Sequence, residues 1–210
     1  MQTSDYIVHV VDDEESVRKS LAFLLTMAGF TVRVHESATA FLDAAPGLRA
    51  GCLVTDLRMP DMSGVDLLRR LAAAQATMPS IVITGHADVP MAVEAMKAGA
   101  LDFIEKPFED EVLIDAIRRA AERLHGNPAD MDDAADFQAR LEQLSDREKQ
   151  VLSGVVAGLP NKTIAYDLNI SPRTVEVHRS NVMSKMKAKS LPELVRMAIA
   201  LDVGSDRARS

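Results

Sequence analysis

The sequence predicts an α/β fold followed by an all-α one. A doubly wound (βα)5 domain on a five-stranded parallel sheet is expected over residues 5–124, a linker over 125–140, and a small helical domain over 141–204. Three observations predict this. Short apolar, β-branched runs alternate five times with stretches of helical periodicity in the first ~120 residues. Several of those runs are apolar throughout, as in strands buried on both faces of a parallel sheet. Right-handed crossovers then favour double winding. Beyond the linker the pattern turns wholly helical.

The elements follow in order. Tyr6–Val11 is the first apolar run. Val17, Leu21, Leu24 and Ala28 then recur at helical spacing until Gly29 ends the helix. Thr31–His35 is β-branched, and Ser37 can cap a short helix to Ala45. Cys52–Thr55 is a buried-type strand, followed by a helix over Gly64–Ala74 with Val65, Leu68 and Leu71 on one face. Ser80–Thr84 is the fourth strand, and Val89, Ala92, Val93 and Met96 make a helix ending at Gly99. Leu101–Glu105 is the fifth strand, and Leu113, Ile117, Ala120 and Leu124 mark the fifth helix.

Composition excludes several classes. Apolar residues are 47% and charged residues 26%, which suits a packed chain rather than a disordered one. No apolar run approaches the roughly 18 residues of a membrane span, and residues 1–5 carry no basic, signal-like start. A cytoplasmic protein is expected. One cysteine, Cys52, allows neither an internal disulfide nor a cysteine zinc cluster. With no tryptophan and 4% aromatics, base stacking on single strands is a poor expectation. The net charge of -7 is uneven. Residues 1–126 hold twelve bases against nineteen acids, whereas residues 160–190 hold six bases against two acids. An acidic front and a locally basic back point to two modules with different partners.

In a doubly wound sheet the functional crevice lies outside the carboxyl ends of the strands. Here those ends carry Asp12-Asp13, Asp56, Thr84-Gly85 and Lys106-Pro107. Three carboxylates, a hydroxyl and an ammonium would converge. Close carboxylates repel, and a hard divalent cation such as Mg²⁺ relieves that repulsion. A carboxylate beside such an ion can accept a phosphoryl group, while an ammonium and a hydroxyl neutralise and hold its oxygens.

These residues carry a specific resemblance. Val11-Asp12-Asp13-Glu14, Asp56 to Gly64, Ile83-Thr84-Gly85 and Lys106-Pro107-Phe108 resemble the receiver domain of a two-component response regulator. The resemblance implies that Asp56 is the phosphoacceptor. It implies Mg²⁺ bound by Asp13, Asp56 and the backbone carbonyl of Arg58, with Asp12 acting through the metal's water. It implies Thr84 and Phe103 as a switch pair, Lys106 as the phosphoryl-binding ammonium, and a cis Lys106–Pro107 bond.

Gly, Pro and acids without periodicity over 125–133 read as a linker, with a helix resuming at Ala134–Leu144. Ser145-Asp146-Arg147-Glu148 is a capping box ahead of Val151, Leu152, Val155 and Val156, and Gly158 with Pro160 ends that helix. Asn161 can cap a short helix to Leu168, Asn169 can turn left-handed, and Ser171-Pro172 opens a helix to about Lys187. Val175, His178, Val182 and Met186 share its buried side, and a last helix starts near Leu191. Two short helices joined by about three residues in a basic stretch suggest helix-turn-helix. Arg173, Glu176, Val177, Ser180, Asn181 and Ser184 would enter the major groove of double-stranded promoter DNA, with Lys162, Thr174, Arg179 and Lys185 on phosphates. The stretch Leu144–Val203, above all Gly158–Ala165 and Ser171–His178, resembles the effector domain of the NarL/FixJ (LuxR-type) family.

That resemblance implies a transcription activator that dimerises on phosphorylation and engages RNA polymerase. It is closest to the family's nitrogen-fixation regulators, which implies a FixL-like, haem-based histidine kinase as phosphodonor and nitrogen-fixation and microaerobic promoters as targets. Glu176 departs from the wider family, where a basic residue is often found; an acid there can accept from cytosine. Two other classes remain to be weighed. A metal-dependent phosphotransferase of the haloacid-dehalogenase type would need a second acid two residues after Asp56, where Arg58 stands. A plain ligand-binding module leaves Thr84 and Lys106 without a task.

Overall fold

The computed structural model describes residues 6–44, 51–76, 78–86, 88–124, 129–201 and 203, with side chains outside 124–135. The expected domain limits at 5 and 204, the helix end at Ala45 and the linker residues 125–128 lie outside the described residues. The chain forms two compact units, one of residues 1–87 and 98–127, the other of residues 88–97 and 128–210.

The first unit holds the sheet. Strands β1 (Ile7–Val11), β2 (Thr31–His35), β3 (Gly51–Asp56), β4 (Ser80–Thr84) and β5 (Asp102–Glu105) pair in parallel in the order β2-β1-β3-β4-β5. Helices α1 (Glu15–Met27), α2 (Ala38–Ala44), α3 (Gly64–Ala73), α4 (Val89–Lys97) and α5 (Asp110–Leu124) follow the strands in chain order, α4 being counted with the second unit. β1, β3 and β4 are buried along their whole length, which explains their largely apolar sequence. Edge strand β2 is largely exposed. Gly51 is required by the β1–β3 approach: a Cβ there would stand 2.0 Å from the Ile7 carbonyl oxygen. Val8, Val10, Val54, Ile81, Ile83, Leu113 and Ile117 form the centre of the core.

The register sets the site. Val11 pairs with Thr55, Asp56 with Ile83, and Thr84 with Glu105. The residues leaving β1, β3, β4 and β5 therefore emerge along one edge of the sheet. The strand order reverses between β1 and β3, so Asp12 and Asp56 flank the switch point.

The second unit carries α6 (Ala129–Glu142), α7 (Asp146–Val156), α8 (Asn161–Leu168), α9 (Pro172–Met186) and α10 (Leu191–Ala200). Leu152, Val156, Val182, Met186, Leu194 and Ala198 make one core, and Val151, Val155, Ile164, Leu168 and Val175 another. The Ser145–Glu148 capping box forms in full. Asn169 takes the left-handed conformation at φ 54°, and the Ser171 hydroxyl caps α9 with Pro172 in its first turn. Two local expectations differ. α6 begins at Ala129, not Ala134. Asn161 is the first residue of α8, with Pro160 as its cap, since the Asn161 carboxamide instead accepts from Arg179 at 2.8 Å.

One buried polar group has a consequence for stability. His9 on β1 is fully buried, with Nδ1 3.1 Å from His35 Nε2, and both rings stand edge-on to Phe41. Burial, and then repulsion from His35 and Arg33, push the His9 pKa down to about 4. The unfolded chain, with an ordinary histidine pKa of about 6.5, binds the extra proton first. This stabilisation is complete above pH ~6.5 and is lost as the pH falls toward 4. Urea unfolding should show about 2 kcal/mol less stability of the first unit at pH 5 than at pH 7, and His9→Leu should remove most of that difference.

Candidate phosphoryl and DNA sites

Asp12, directly after β1, is 1% exposed, and Asp56, the last residue of β3, is 9% exposed. Two such carboxylates need a cation. The Lys106 ammonium supplies it, donating to Asp12 Oδ2 at 3.0 Å and to Asp56 Oδ1 at 2.9 Å. Burial works against the charge on Lys106, but the bonds to Asp56 and Asp12 outweigh it and hold its pKa above the ordinary lysine value. The base of the lysine is anchored too, because its backbone N–H donates to the Thr84 carbonyl at 2.7 Å. The Lys106–Pro107 bond is cis, as expected.

The remaining carboxylate oxygens are also held. Asp56 Oδ2 accepts from the Arg58 backbone N–H at 2.6 Å, and Asp12 Oδ1 from the Glu14 N–H at 2.9 Å. Gly64 lets α3 close over this loop: a Cβ there would stand 2.4 Å from the Asp56 carbonyl oxygen. Asp61, further along the loop, accepts from the N–H and hydroxyl of Thr39, pinning the loop to α2.

One expected grouping differs. The expected trio is not gathered: among the described residues, no three His, Cys, Asp or Glu side chains stand together as a metal cluster. Asp13 is exposed, while Lys106 joins Asp12 to Asp56. One ammonium balances two carboxylates, and the third is better solvated by water. The Thr84 hydroxyl, although buried, shares two long bonds of 3.2 Å with the backbone of His86. Phe103 is buried on β5, its residue paired with Val82.

The donor chemistry nonetheless fits Mg²⁺. Asp12 and Asp56 present hard carboxylate oxygens to one positive centre, and Asp13 and the Arg58 carbonyl belong to the same two loops. Sequence reasoning missed Arg18, whose Nη1 donates to the backbone carbonyls of Asp12 at 2.7 Å and Asp13 at 2.9 Å. Its signal in the sequence is only a cation one helical turn into α1.

On α9, Arg173, Glu176, Val177, Ser180, Asn181 and Ser184 are all exposed, with Val177 at 54%. Val175, Val182 and Met186 are buried on the other side. His178 lies between, with a buried Nδ1, in keeping with a packing role. Lys162 on α8 is exposed. Thr174 is half-buried, its hydroxyl 2.8 Å from that of Ser171. Two expected phosphate contacts are otherwise employed. Arg179 donates to Asn161, tying α9 to α8. Lys185 donates to Glu148 Oε2 at 2.7 Å. Glu148 is buried, so it needs that cation, and the Lys185 ammonium with the Ser145 N–H holds its carboxyl below the usual range.

A phosphoacceptor-type crevice on a parallel sheet, joined to a helix-turn-helix, defines a class, and comparison with known proteins agrees. Residues 8–118 match the response regulator receiver domain, and residues 142–198 match the bacterial regulatory proteins of the luxR family. The chain belongs to the response regulators that couple a receiver to a LuxR-type DNA-binding domain. It is 73% identical over 197 residues to the transcriptional regulatory protein FixJ of Rhizobium meliloti (strain 1021), covering 94% of this chain and 97% of the relative. It is 58% identical to FixJ of Azorhizobium caulinodans, covering 93% of each. Among solved structures, full-length FixJ from B. japonicum is 51% identical with a TM-score of 0.57, covering 94% of this chain and 97% of that one. The protein is thus a phosphorylation-activated transcription regulator rather than an enzyme of the usual kind, and its two domains entail a sensor kinase and DNA as partners. Receiver domains generally use Mg²⁺ for phosphorylation.

Removing the shared cation tests the geometry. Lys106→Met leaves Asp12 and Asp56 facing each other with no counter-charge and should lower the stability of the first unit by about 2 kcal/mol at pH 7. Added Mg²⁺ should recover more stability in the variant than in the parent, measured by thermal unfolding with and without the ion.

Proposed function

We propose that Asp56 accepts a phosphoryl group from a sensor histidine kinase, and that this modification switches the effector domain on. The observation that carries the reading is the pair of bonds from Lys106 to Asp12 and Asp56. A buried aspartate bonded to an ammonium, at the carboxyl edge of the sheet, is a candidate nucleophile with a phosphate-binding cation already beside it.

In the transfer, an Asp56 carboxylate oxygen bonds to phosphorus as the phosphorus–nitrogen bond of the donor's phosphohistidine breaks. Lys106 then pairs with a phosphoryl oxygen, and the Thr84 hydroxyl leaves His86 for another. Asp12, Asp13, Asp56 and the Arg58 carbonyl would hold Mg²⁺. When bound, the ion supplies charge neutralisation for the phosphoryl oxygens. Phe103 moves into the space that Thr84 vacates, reshaping the surface near β5. The protein acts only on itself, through self-catalysed phosphotransfer and autodephosphorylation.

The domains are taken as 5–124 and 141–204, with 125–140 as the linker. The phosphorylated chain dimerises and sets two copies of α9 into successive major grooves, with half-sites about one helical turn apart. Arg173, Glu176, Val177, Ser180 and Asn181 meet base edges, and Lys162 and Thr174 meet the backbone. Lys185 is left out of this set, since it is committed to Glu148. The strong likeness to FixJ supports a FixL-like kinase, nitrogen-fixation and microaerobic promoters, contact with RNA polymerase and a cytoplasmic location.

Two measurements test the reading. Asp56→Asn should abolish Mg²⁺-dependent labelling by acetyl phosphate, and labelling that persisted at the parent level would remove Asp56 from the role. Lys162→Ala should weaken binding to all DNA sequences alike and reduce the salt slope by about one, measured by anisotropy across a salt series.

A further inference from the structure

We propose that Arg18 is a positioning residue for divalent-cation binding, acting through the backbone of the acidic turn; the inference rests on the Mg²⁺ site described above. The turn joins β1 to α1. Its carboxylates must point into the crevice, yet it has little to hold it. Glu14, the N-cap of α1, makes no side-chain capping bond. The Asp12 N–H reaches the His35 carbonyl only at 3.4 Å. Lys106 holds the Asp12 carboxylate at 3.0 Å and the Glu14 N–H holds its other oxygen at 2.9 Å, but the close contacts to the turn's own carbonyls are the two bonds from Arg18 Nη1, at 2.7 Å to Asp12 and 2.9 Å to Asp13.

Those two bonds fix successive peptide planes. A peptide plane sets the direction of the Cβ that follows it, so Arg18 constrains where Asp13 can point. The bonds are charge-assisted and come from a half-buried guanidinium on a regular helix, whose own backbone N–H is tied to the Glu14 carbonyl at 3.0 Å. They also occupy the two carbonyls, which directs a cation to the carboxylates instead.

Charge alone makes the opposite prediction. Arg18 is a cation beside a cation site, so its repulsion should weaken Mg²⁺ binding, and its removal should tighten it. Positioning predicts that removal loosens it. The sign of the change therefore separates the two.

The test is calorimetric titration of MgCl₂ into the full-length protein, with thermal unfolding as a check on folding. Arg18→Ala should weaken Mg²⁺ binding about tenfold, the scale of outer-sphere substitutions at metal sites. Arg18→Lys, which keeps the charge but lacks the planar fork, should fall between. In acetyl phosphate labelling, the half-saturating Mg²⁺ concentration should rise with the dissociation constant while the rate at saturating Mg²⁺ stays within about twofold. Unchanged or tighter Mg²⁺ binding by Arg18→Ala would overturn the proposal. If that variant does not fold, parent-level affinity in Arg18→Lys overturns it. A parent protein that binds no Mg²⁺ would instead overturn the underlying reading of the site.

Discussion

The receiver unit depends on one ammonium shared by two buried carboxylates. Lys106 leaves the sheet after β5, whereas Asp12 leaves it after β1 and Asp56 ends β3, with β4 lying between β3 and β5. Only a long, flexible cation can cross that distance, and its root is pinned to the Thr84 carbonyl at 2.7 Å. Without it, two carboxylates would face each other in a poorly hydrated crevice with no counter-charge between them. In the proposed phosphoacceptor role, the bond that braces the resting crevice is the same one that sets a phosphate-binding cation beside Asp56.

The helical unit applies the same electrostatics to a different end. Glu148 is buried because the capping box places it against the start of α7, and Lys185 on α9 answers its charge. Arg179 on α9 reaches Asn161 on α8, and Arg140 on α6 donates to the Met186 carbonyl at the end of α9. Three cations thus brace α9 against three neighbouring helices. The exposed face from Arg173 to Ser184 stays polar, with Val177 as its apolar point. A basic stretch in the sequence is therefore two populations: cations that hold the recognition helix, and cations such as Lys162 that stand toward solvent.

This division explains what the sequence could and could not reveal. Thr31–His35 and Ser80–Thr84 are legible to the residue, because β-branched runs bounded by loop residues have few other uses. Asp12, Asp56 and Lys106 are legible because topology converts their positions after separate strands into one place. Arg18 is not, since its acceptors are backbone carbonyls, which every residue carries. The partner of Lys185 is hidden for a related reason: charge and helical phase point it toward DNA, and only tertiary packing shows the buried Glu148 to which it donates. Asp13 and Thr84 have the expected places in the chain, but their side chains answer to local solvation and to His86.

The position of Thr84 bears on how a signal could leave the site. Its two bonds to His86 are both 3.2 Å, long for a hydroxyl, so they hold it weakly. A phosphoryl group on Asp56 brings about two negative charges and three strong acceptors within reach of the residues on the neighbouring strand ends. Lys106 then has a better partner than Asp12, and the Thr84 hydroxyl a better one than a backbone carbonyl. Both changes pull in the same direction, toward Asp56, and neither requires a core side chain to be unpacked first. In the proposed switch, the His86 backbone loses the Thr84 hydroxyl and the Asp12 carboxylate loses its cation. In the proposed site a divalent ion would replace that cation, which would tie the switch to the same turn whose carbonyls Arg18 bonds.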